Sequence, residues 1–379
     1  MAEDQFISIE RLSFGGDGIG KIEGKVVFVP FSVPGDRLKV RIVESKERFN
    51  RGEILEIIEP SPLRVQPPCP VFGRCGGCQW QQIDYPSQLS SKELILRETL
   101  ERIGGLKGIS ILPIISSAHP WNYRNRLQLH RDSKGRIGFL AREAHEVVEF
   151  EECFIADPKL NEAVQRLRRE APTEHRLFEL AMTHDSKVTL SGLKSEDDRA
   201  FSQTNPSVNE ELVKTVFQFA FGGAEAAFTQ KWNIVELYCG KGNLTFALAQ
   251  AGGRVIAVDE SREALKEAEE EAKKRRMTHL EFIASAAEWG LKTVLRRGMP
   301  VDILVLDPPR RGAKEILDLL LVIKPRVIVY VSCDPSTLAR DLKFLVNRHY
   351  EVEMVRPLDM FPQTYHIESV TKLVRKNGN

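Results

Sequence analysis

Four apolar runs in the carboxyl half constrain this chain more than any other feature. IVELYCGKGN (234–243), RVIAVDES (254–261), DILVLDPPRRG (302–312) and RVIVYVSCDP (326–335) each stop abruptly at a polar or glycine-rich cluster. Helix-type stretches lie between them, at 262–276 and at ILDLLLVI (316–323). Unbroken β-branched runs are the pattern of parallel strands buried on both faces, and their alternation with helices predicts a doubly wound α/β sheet. Such a sheet gathers its loops, and its ligand crevice, at the carboxyl edge of the strands. Asp307, the stiff Pro308-Pro309 turn and Cys333 are therefore expected to share one site.

With 379 residues the chain has room for two or three domains. Charge is nearly balanced, 54 Lys+Arg against 53 Asp+Glu, so any polyanion site must be a local patch. No apolar run approaches the roughly 18 residues of a membrane span. The polar start MAEDQF lacks the basic and apolar regions of a signal peptide. A cytoplasmic protein with reduced cysteines is predicted, and a monomer would be unsurprising.

Residues 1–60 predict a small OB-like β-barrel. Short strands are expected around Ile7 and Ile9, at 26–29, at 38–42 and at 54–58, with GGDGIG (15–20) and PGD (34–36) as turns. Segment 37–51 holds six basic and two acidic residues, consistent with an oligonucleotide face or an ordinary solvated strand. A linker with five prolines follows at 59–70. Next comes CPVFGRCGGCQW, in which Cys69, Cys75 and Cys78 form a C-x5-C-x2-C loop rich in glycine. Three cysteines this close indicate a metal centre, and Cys153 is the one remaining cysteine outside the carboxyl sheet. Four thiolates suit zinc or an iron–sulfur cluster equally on their chemistry.

Residues 86–104 predict an amphipathic helix with Leu89, Ile95, Leu96 and Leu100 on its apolar stripe. From 113 to about 200 the pattern predicts strands, with a turn at 133–135. There Arg124, Arg126, Arg131, Lys134, Arg136 and Arg142 face a single acid, Asp132, beside Trp121 and Tyr123. Basic residues interleaved with aromatics suit RNA, because guanidinium groups meet phosphates while splayed bases stack on rings.

The glycine turn ELYCGKGN departs from the dinucleotide fingerprint, since Leu244 and Thr245 follow its second glycine. Its acid-x-x-x-G-x-G form, Glu236 with Gly240 and Gly242, resembles motif I of S-adenosylmethionine (SAM)-dependent methyltransferases. Asp259 closes the second strand, where an acid can accept from ribose hydroxyls. FSQTN (201–205) is expected near the cofactor. Carbon 5 of a pyrimidine explains why a cysteine should sit in such a site. A thiolate adding at carbon 6 makes carbon 5 nucleophilic, and a base must then remove its proton. Cys333 is the natural nucleophile, and QTYHIESV (363–370) offers His366 and Glu368 as bases.

LDPPRRG, YVSCDPSTLARDL and DMFPQTYHIESV together resemble the RNA (uracil-5-)-methyltransferases, and GGDGIGK with VVFVPFSVPGD resembles a TRAM domain. The resemblance covers essentially the whole chain. It implies a class I, Rossmann-like methyltransferase domain (86–112 and 201–379), an N-terminal TRAM barrel (1–60) and a small β-rich iron–sulfur central domain (66–85 and 113–200). It implies Cys333 as nucleophile and Glu368 as base, with Gln203, Tyr238, Asp259 and Asp307 at SAM-site positions. It assigns Cys69, Cys75, Cys78 and Cys153 to a 4Fe–4S cluster. Structured RNA is the implied partner, with 23S ribosomal RNA ahead of tRNA as substrate. Two departures stand out: Ser285 replaces an acid after the third strand, and the nucleophile motif reads S-C-D-P rather than S-C-N-P. A cytosine-5 enzyme is disfavoured because no second cysteine stands beside the DPP turn. A catalytically silent RNA-binding factor leaves Cys333 and Glu368 unexplained, and four-cysteine closure with the methyltransferase-like sheet argues against an iron–sulfur redox protein.

Overall fold

The structure, a computed structural model, describes residues 4–142, 144–170, 175–183, 185–193, 203–223, 227–228, 231–251 and 253–376. Phe201 and Ser202, the start of the FSQTN stretch, lie outside them. Three sheets are laid out in chain order. No helix among the described residues is long and apolar enough to cross a membrane.

The first sheet has six strands in the order β1-β5-β6-β4-β3-β2. They are β1 (Gln5–Ser8), β2 (Arg11–Leu12), β3 (Gly18–Ile22), β4 (Lys25–Val29), β5 (Arg37–Ser45) and β6 (Phe49–Glu59). The chain after β1 reaches the far end of the sheet, where Glu10 N–H donates to the Ile19 carbonyl at 2.8 Å. Ile7, Ile9, Val27, Val29, Leu38 and Val40 fill the enclosed core. GGDGIG is only partly the turn expected, because Gly18 already lies in β3. A Cβ on Gly18 would stand 2.0 Å from Ser32 Oγ, and one on Gly20 would stand 2.3 Å from the Ser8 carbonyl. These glycines admit close strand contacts rather than making a turn.

The second sheet runs β11-β10-β7-β8-β9. Its strands are β7 (Arg126–Arg131), β8 (Ile137–Leu140), β9 (Val147–Val148), β10 (Leu177–Met182) and β11 (Val188–Leu193). Helix α1 (Tyr85–Arg102) precedes it, and α2 (Pro158–Glu170) interrupts it. The all-strand expectation for 113–200 therefore fails at α2. Leu160, Val164 and Leu167, spaced by four and three, cover Leu127, Leu129, Phe178 and Leu180 of the sheet.

The third sheet has seven strands ordered β14-β13-β12-β15-β16-β18-β17. They are β12 (Asn233–Leu237), β13 (Arg254–Asp259), β14 (Leu280–Ala284), β15 (Ile303–Leu306), β16 (Val327–Ser332), β17 (Tyr350–Leu358) and β18 (Glu368–Arg375). The first five are parallel, and β18 runs antiparallel between β16 and β17. Helix α3 (Pro206–Phe221) buries Val208, Leu212, Val216 and Phe219 against one face. The short α4 (Thr245–Ala249) and α5 (Arg262–Lys274) follow β12 and β13. Helices α6 (Ala287–Arg296), α7 (Leu317–Ile323) and α8 (Pro335–Val346) bury Leu291, Leu320, Leu338 and Leu342 in the core of the other face. Leu96 and Leu100 of α1 join that same core. Strand order reverses between β12 and β15, which opens a crevice at their carboxyl ends.

Candidate active site

The crevice has two halves. In the first, Glu236 is the penultimate residue of β12, its side chain buried and its Oε2 without a hydrogen-bond partner. Burial, with the Asp307 and Asp259 charges nearby, pushes its carboxyl up to about 8. The chain then turns sharply. Tyr238 takes φ +61°, Gly240 +53° and Gly242 +89°. A Cβ on Gly242 would lie 2.7 Å from the Phe246 ring, so this turn can hold only glycine there. Asp259 at the end of β13 braces the turn, its Oδ2 accepting from Gly240 N–H and its Oδ1 from Ser261 N–H, both at 2.8 Å. Each oxygen keeps a lone pair for a sugar hydroxyl. Tyr238 donates its hydroxyl to Glu315 at 2.8 Å. Ser285, just past β14, donates its N–H to the Asp259 carbonyl at 2.9 Å.

Gln203 reaches this region indirectly. Its carbonyl accepts from Asn125 Nδ2 at 3.2 Å, and Asn205 caps α3. One turn into α3, Asn209 exchanges amide hydrogen bonds of 2.8 and 2.9 Å with Asn243 of the glycine turn. A buried acid with one carboxyl oxygen open, beside a bare glycine turn, fits a ligand that brings a cationic amino group, as the methionine end of SAM does.

In the second half, β16 ends at Ser332 and β18 begins at Glu368, and Ser332 pairs with Ser369 in the ladder. This register sets Cys333 and Glu368 at adjacent strand ends, next to the Asp307 loop of β15. Cys333 is half-buried, and its thiol is pushed up to about 12 by burial, then by Glu368 and Asp307, with Arg310 opposing. Burial also holds Glu368 well above the usual carboxylate range, with Asp307 adding and Arg310 opposing. Asp307 is raised to about 7 by burial. His366 is held down at about 4 by burial and by the Arg310, Lys92 and Arg124 charges, so its imidazole is neutral near pH 7. Arg310 is thus a cation that bears on both the Cys333 thiol and the Glu368 carboxyl. Its loop is pinned to α8, because Thr337 Oγ1 donates to the Arg310 carbonyl at 3.0 Å and Arg340 donates to the Arg311 carbonyl at 2.8 Å. Asp334, where the S-C-D-P motif departs from S-C-N-P, caps α8, its Oδ1 accepting from Ser336 and Thr337 N–H.

Away from the crevice, Cys69, Cys75, Cys78 and Cys153 line one cavity of about 50 Å³, with Arg124 and the Phe72, Phe139, Phe150 and Phe154 rings. Gly77 N–H points at Cys75 Sγ at 3.4 Å. Burial pushes the Cys78 thiol up to about 12 and the Cys153 thiol to about 11. Among the described residues no three His, Cys, Asp or Glu side chains close on a single metal ion.

Much of the basic hairpin is paired internally. Arg126 meets Glu179 at 3.4 Å, Arg136 meets Asp132 at 2.7 Å, and Arg142 meets Asp17 of the first sheet at 3.0 Å. Tyr123 is buried and donates to the Pro362 carbonyl at 3.1 Å. Asp132 is therefore not the only acid that these arginines meet, and Tyr123 is not free to stack on a base.

The strand order, the reversed last strand and the acid-glycine turn define a class I SAM-dependent methyltransferase. The tRNA (uracil-5-)-methyltransferase domain family matches residues 193–376, and the TRAM domain matches residues 3–55. An uncharacterized RNA methyltransferase of Bdellovibrio bacteriovorus is 34% identical, over 97% of this chain and 94% of its own. Another, from Thermosynechococcus vestitus, is 32% identical over 97% of each. The crystal structure of Pyrococcus abyssi tRNA (uracil-54, C5)-methyltransferase with S-adenosyl-L-homocysteine aligns with a TM-score of 0.72 and 26% identity, covering 98% of this chain and all of that one. The chain belongs to the RNA methyltransferases of the uracil-5 family, with an N-terminal TRAM domain.

Proposed function

We propose that the protein forms 5-methyluridine in structured RNA, with Cys333 as nucleophile and Glu368 as base. The observation that carries this reading is the β16–β18 register, which sets Cys333 and Glu368 at adjacent strand ends. Cys333, as its thiolate, bonds through Sγ to carbon 6 of uracil, leaving carbon 5 electron-rich. SAM, when bound at Glu236, Tyr238, Gly240, Gly242, Asp259, Asp307 and Gln203, supplies the methyl group that carbon 5 takes. Glu368 then removes the carbon 5 proton, the electron pair re-forms the 5,6 double bond, and the Sγ–carbon 6 bond breaks. Burial disfavours the anionic form of both groups in the free site, and the Arg310 charge favours it.

The four-cysteine cavity supports a 4Fe–4S cluster held by Cys69, Cys75, Cys78 and Cys153. Such a cluster spreads its thiolates over a wider perimeter than a single ion does. With four protein ligands it would tie the 69–78 loop to the chain before α2, a structural role.

The barrel together with the cysteine loop supports large-subunit (23S) ribosomal RNA as the substrate. The likeness to an enzyme acting on tRNA uracil-54 favours tRNA as the second reading. Covalent trapping tests both. Anaerobically prepared protein and SAM are mixed with 5-fluorouridine transcripts of either RNA. Fluorine cannot leave as a proton does, so a denaturation-resistant adduct is expected, and it should vanish with Cys333→Ala. The RNA that traps names the substrate class. Protein that binds SAM yet traps neither RNA overturns the reading.

A further inference from the structure

The segment leading into Glu368 is the connection between β17 and β18, residues 359–367, and its centre is unusually tied. Gln363 takes φ +67°, a left-handed conformation costly for a residue with a side chain. Its carbonyl accepts two N–H groups, those of Gln79 and Trp80, both at 3.0 Å. These are the two residues that follow Cys78. Its own N–H donates to Gln88 Oε1 at 3.0 Å, while Gln88 Nε2 donates to Gln363 Oε1 at 3.0 Å. The two amides thus grip each other reciprocally, 275 positions apart. Gln88 Nε2 also donates to the Trp80 and Ile83 carbonyls, at 3.1 and 2.9 Å. Gln88 and Gln363 are 1% and 2% exposed, and Trp80 is fully buried. A buried amide pair has no stabilising excess over an apolar pair of the same shape, but it fixes one geometry. From Gln363 the chain runs five residues to Glu368, and Thr364 Oγ1 accepts the His366 N–H at 3.3 Å on the way.

We infer that the Gln88–Gln363 pair is a positioning joint, which sets Glu368 by holding its loop against α1 and the backbone after Cys78. The inference rests on Glu368 acting as the base. It makes Gln79 and Trp80 part of the rear wall of the active site, although neither reaches the reacting atoms.

A merely structural pair and a joint for the base differ in where the reaction stalls. If the base alone is misplaced, Cys333 still adds and carbon 5 is still methylated, but the carbon 5 proton stays. An adduct then accumulates on ordinary uridine RNA, without fluorine. The variants are Gln88→Ala, Gln363→Gly, which retains the left-handed backbone, and Gln88→Glu, which keeps the acceptor for the Gln363 N–H but loses the amide donor. Each is judged on protein that melts cooperatively and binds S-adenosylhomocysteine.

Expected are a fall in turnover of about 10²-fold, an adduct on unsubstituted RNA, and faster hydrogen exchange confined to amides 364–368. Gln88→Glu should lie between wild type and the other two. Folded variants that turn over as wild type overturn the joint. So do variants that lose the adduct even on 5-fluorouridine RNA, because their defect precedes the base. Glu368→Gln is the control for the reading beneath: if it accumulates no adduct on uridine RNA, the base assignment itself falls.

Discussion

Cys333, the proposed nucleophile, lies in surroundings that favour its protonated form. Burial raises its thiol most, and the neighbouring carboxyls add to the effect. A free cysteine titrates near 8.5, so in the free protein Cys333 should hold far less thiolate at neutral pH than an exposed thiol does. Alkylation by iodoacetamide, read site by site by mass spectrometry, should be slow at pH 7. Its rate should climb about tenfold per pH unit up to pH 10 without a plateau, because only the thiolate reacts and its pKa lies higher still. Arg310 is the cation that lowers this thiol, so Arg310→Ala should slow alkylation further at every pH. A plateau near pH 8 would contradict this account. The reactive state would then form only when RNA enters, which limits stray modification of a thiol that the reaction needs exposed.

At the scale of elements, the strand–turn–helix units carry the site, and the glycine turn after β12 is their tightest point. Gly242→Ala would place a methyl group against Phe246 in a left-handed conformation. Binding of S-adenosylhomocysteine, measured by calorimetry, should weaken by about tenfold or more, since such strain costs ~1–3 kcal/mol. An unchanged affinity would mean that the turn is not the cofactor's seat. This unit was legible in the sequence because its signals are local: an apolar run, an acid, two glycines, a helix. Helix α2 was equally local, with Leu160, Val164 and Leu167 on one face, but surrounding strand-like patterns masked it. Gly18 and Gly20 were misread as a turn because what they admit, Ser32 and the Ser8 carbonyl, is brought near only by barrel closure. The arginines of β7 and its flanks looked free for the same reason. Glu179 and Asp17, their partners, lie far along the chain and carry no local signal. Cys333 and Glu368 announced themselves as motifs, but only the β16–β18 register explains why they are neighbours.

At the scale of the whole molecule, one ion pair ties the amino half to the active-site loop. Lys92 of α1 donates to Asp359 Oδ1 at 2.5 Å and to the Phe361 carbonyl at 3.0 Å, with both charged side chains fully buried. Tyr85 donates to the other Asp359 oxygen at 2.8 Å and accepts the Ser117 N–H at 2.8 Å. Lys92→Met would strand the Asp359 charge, at a cost of about 3–5 kcal/mol. The midpoint of urea unfolding should drop accordingly, whereas Lys92→Met with Asp359→Asn should recover part of the loss. A single variant as stable as wild type would show that Asp359 does not need its cation.

The loop from Asp359 to Ile367 also touches the barrel and the stretch ahead of the central sheet. A Cβ on Gly16 of the barrel would come 3.0 Å from Tyr365, and Tyr123, ahead of the central sheet, donates to the Pro362 carbonyl. For anyone recombining such enzymes, this decides where chimeras can be cut. A barrel borrowed to redirect RNA choice would arrive without its matching Tyr365. A graft at the proline-rich linker alone would therefore leave a mismatched seam beside the base. The transplantable unit is the barrel together with this short loop near the other end of the chain, so a change of target would require two coordinated exchanges rather than one.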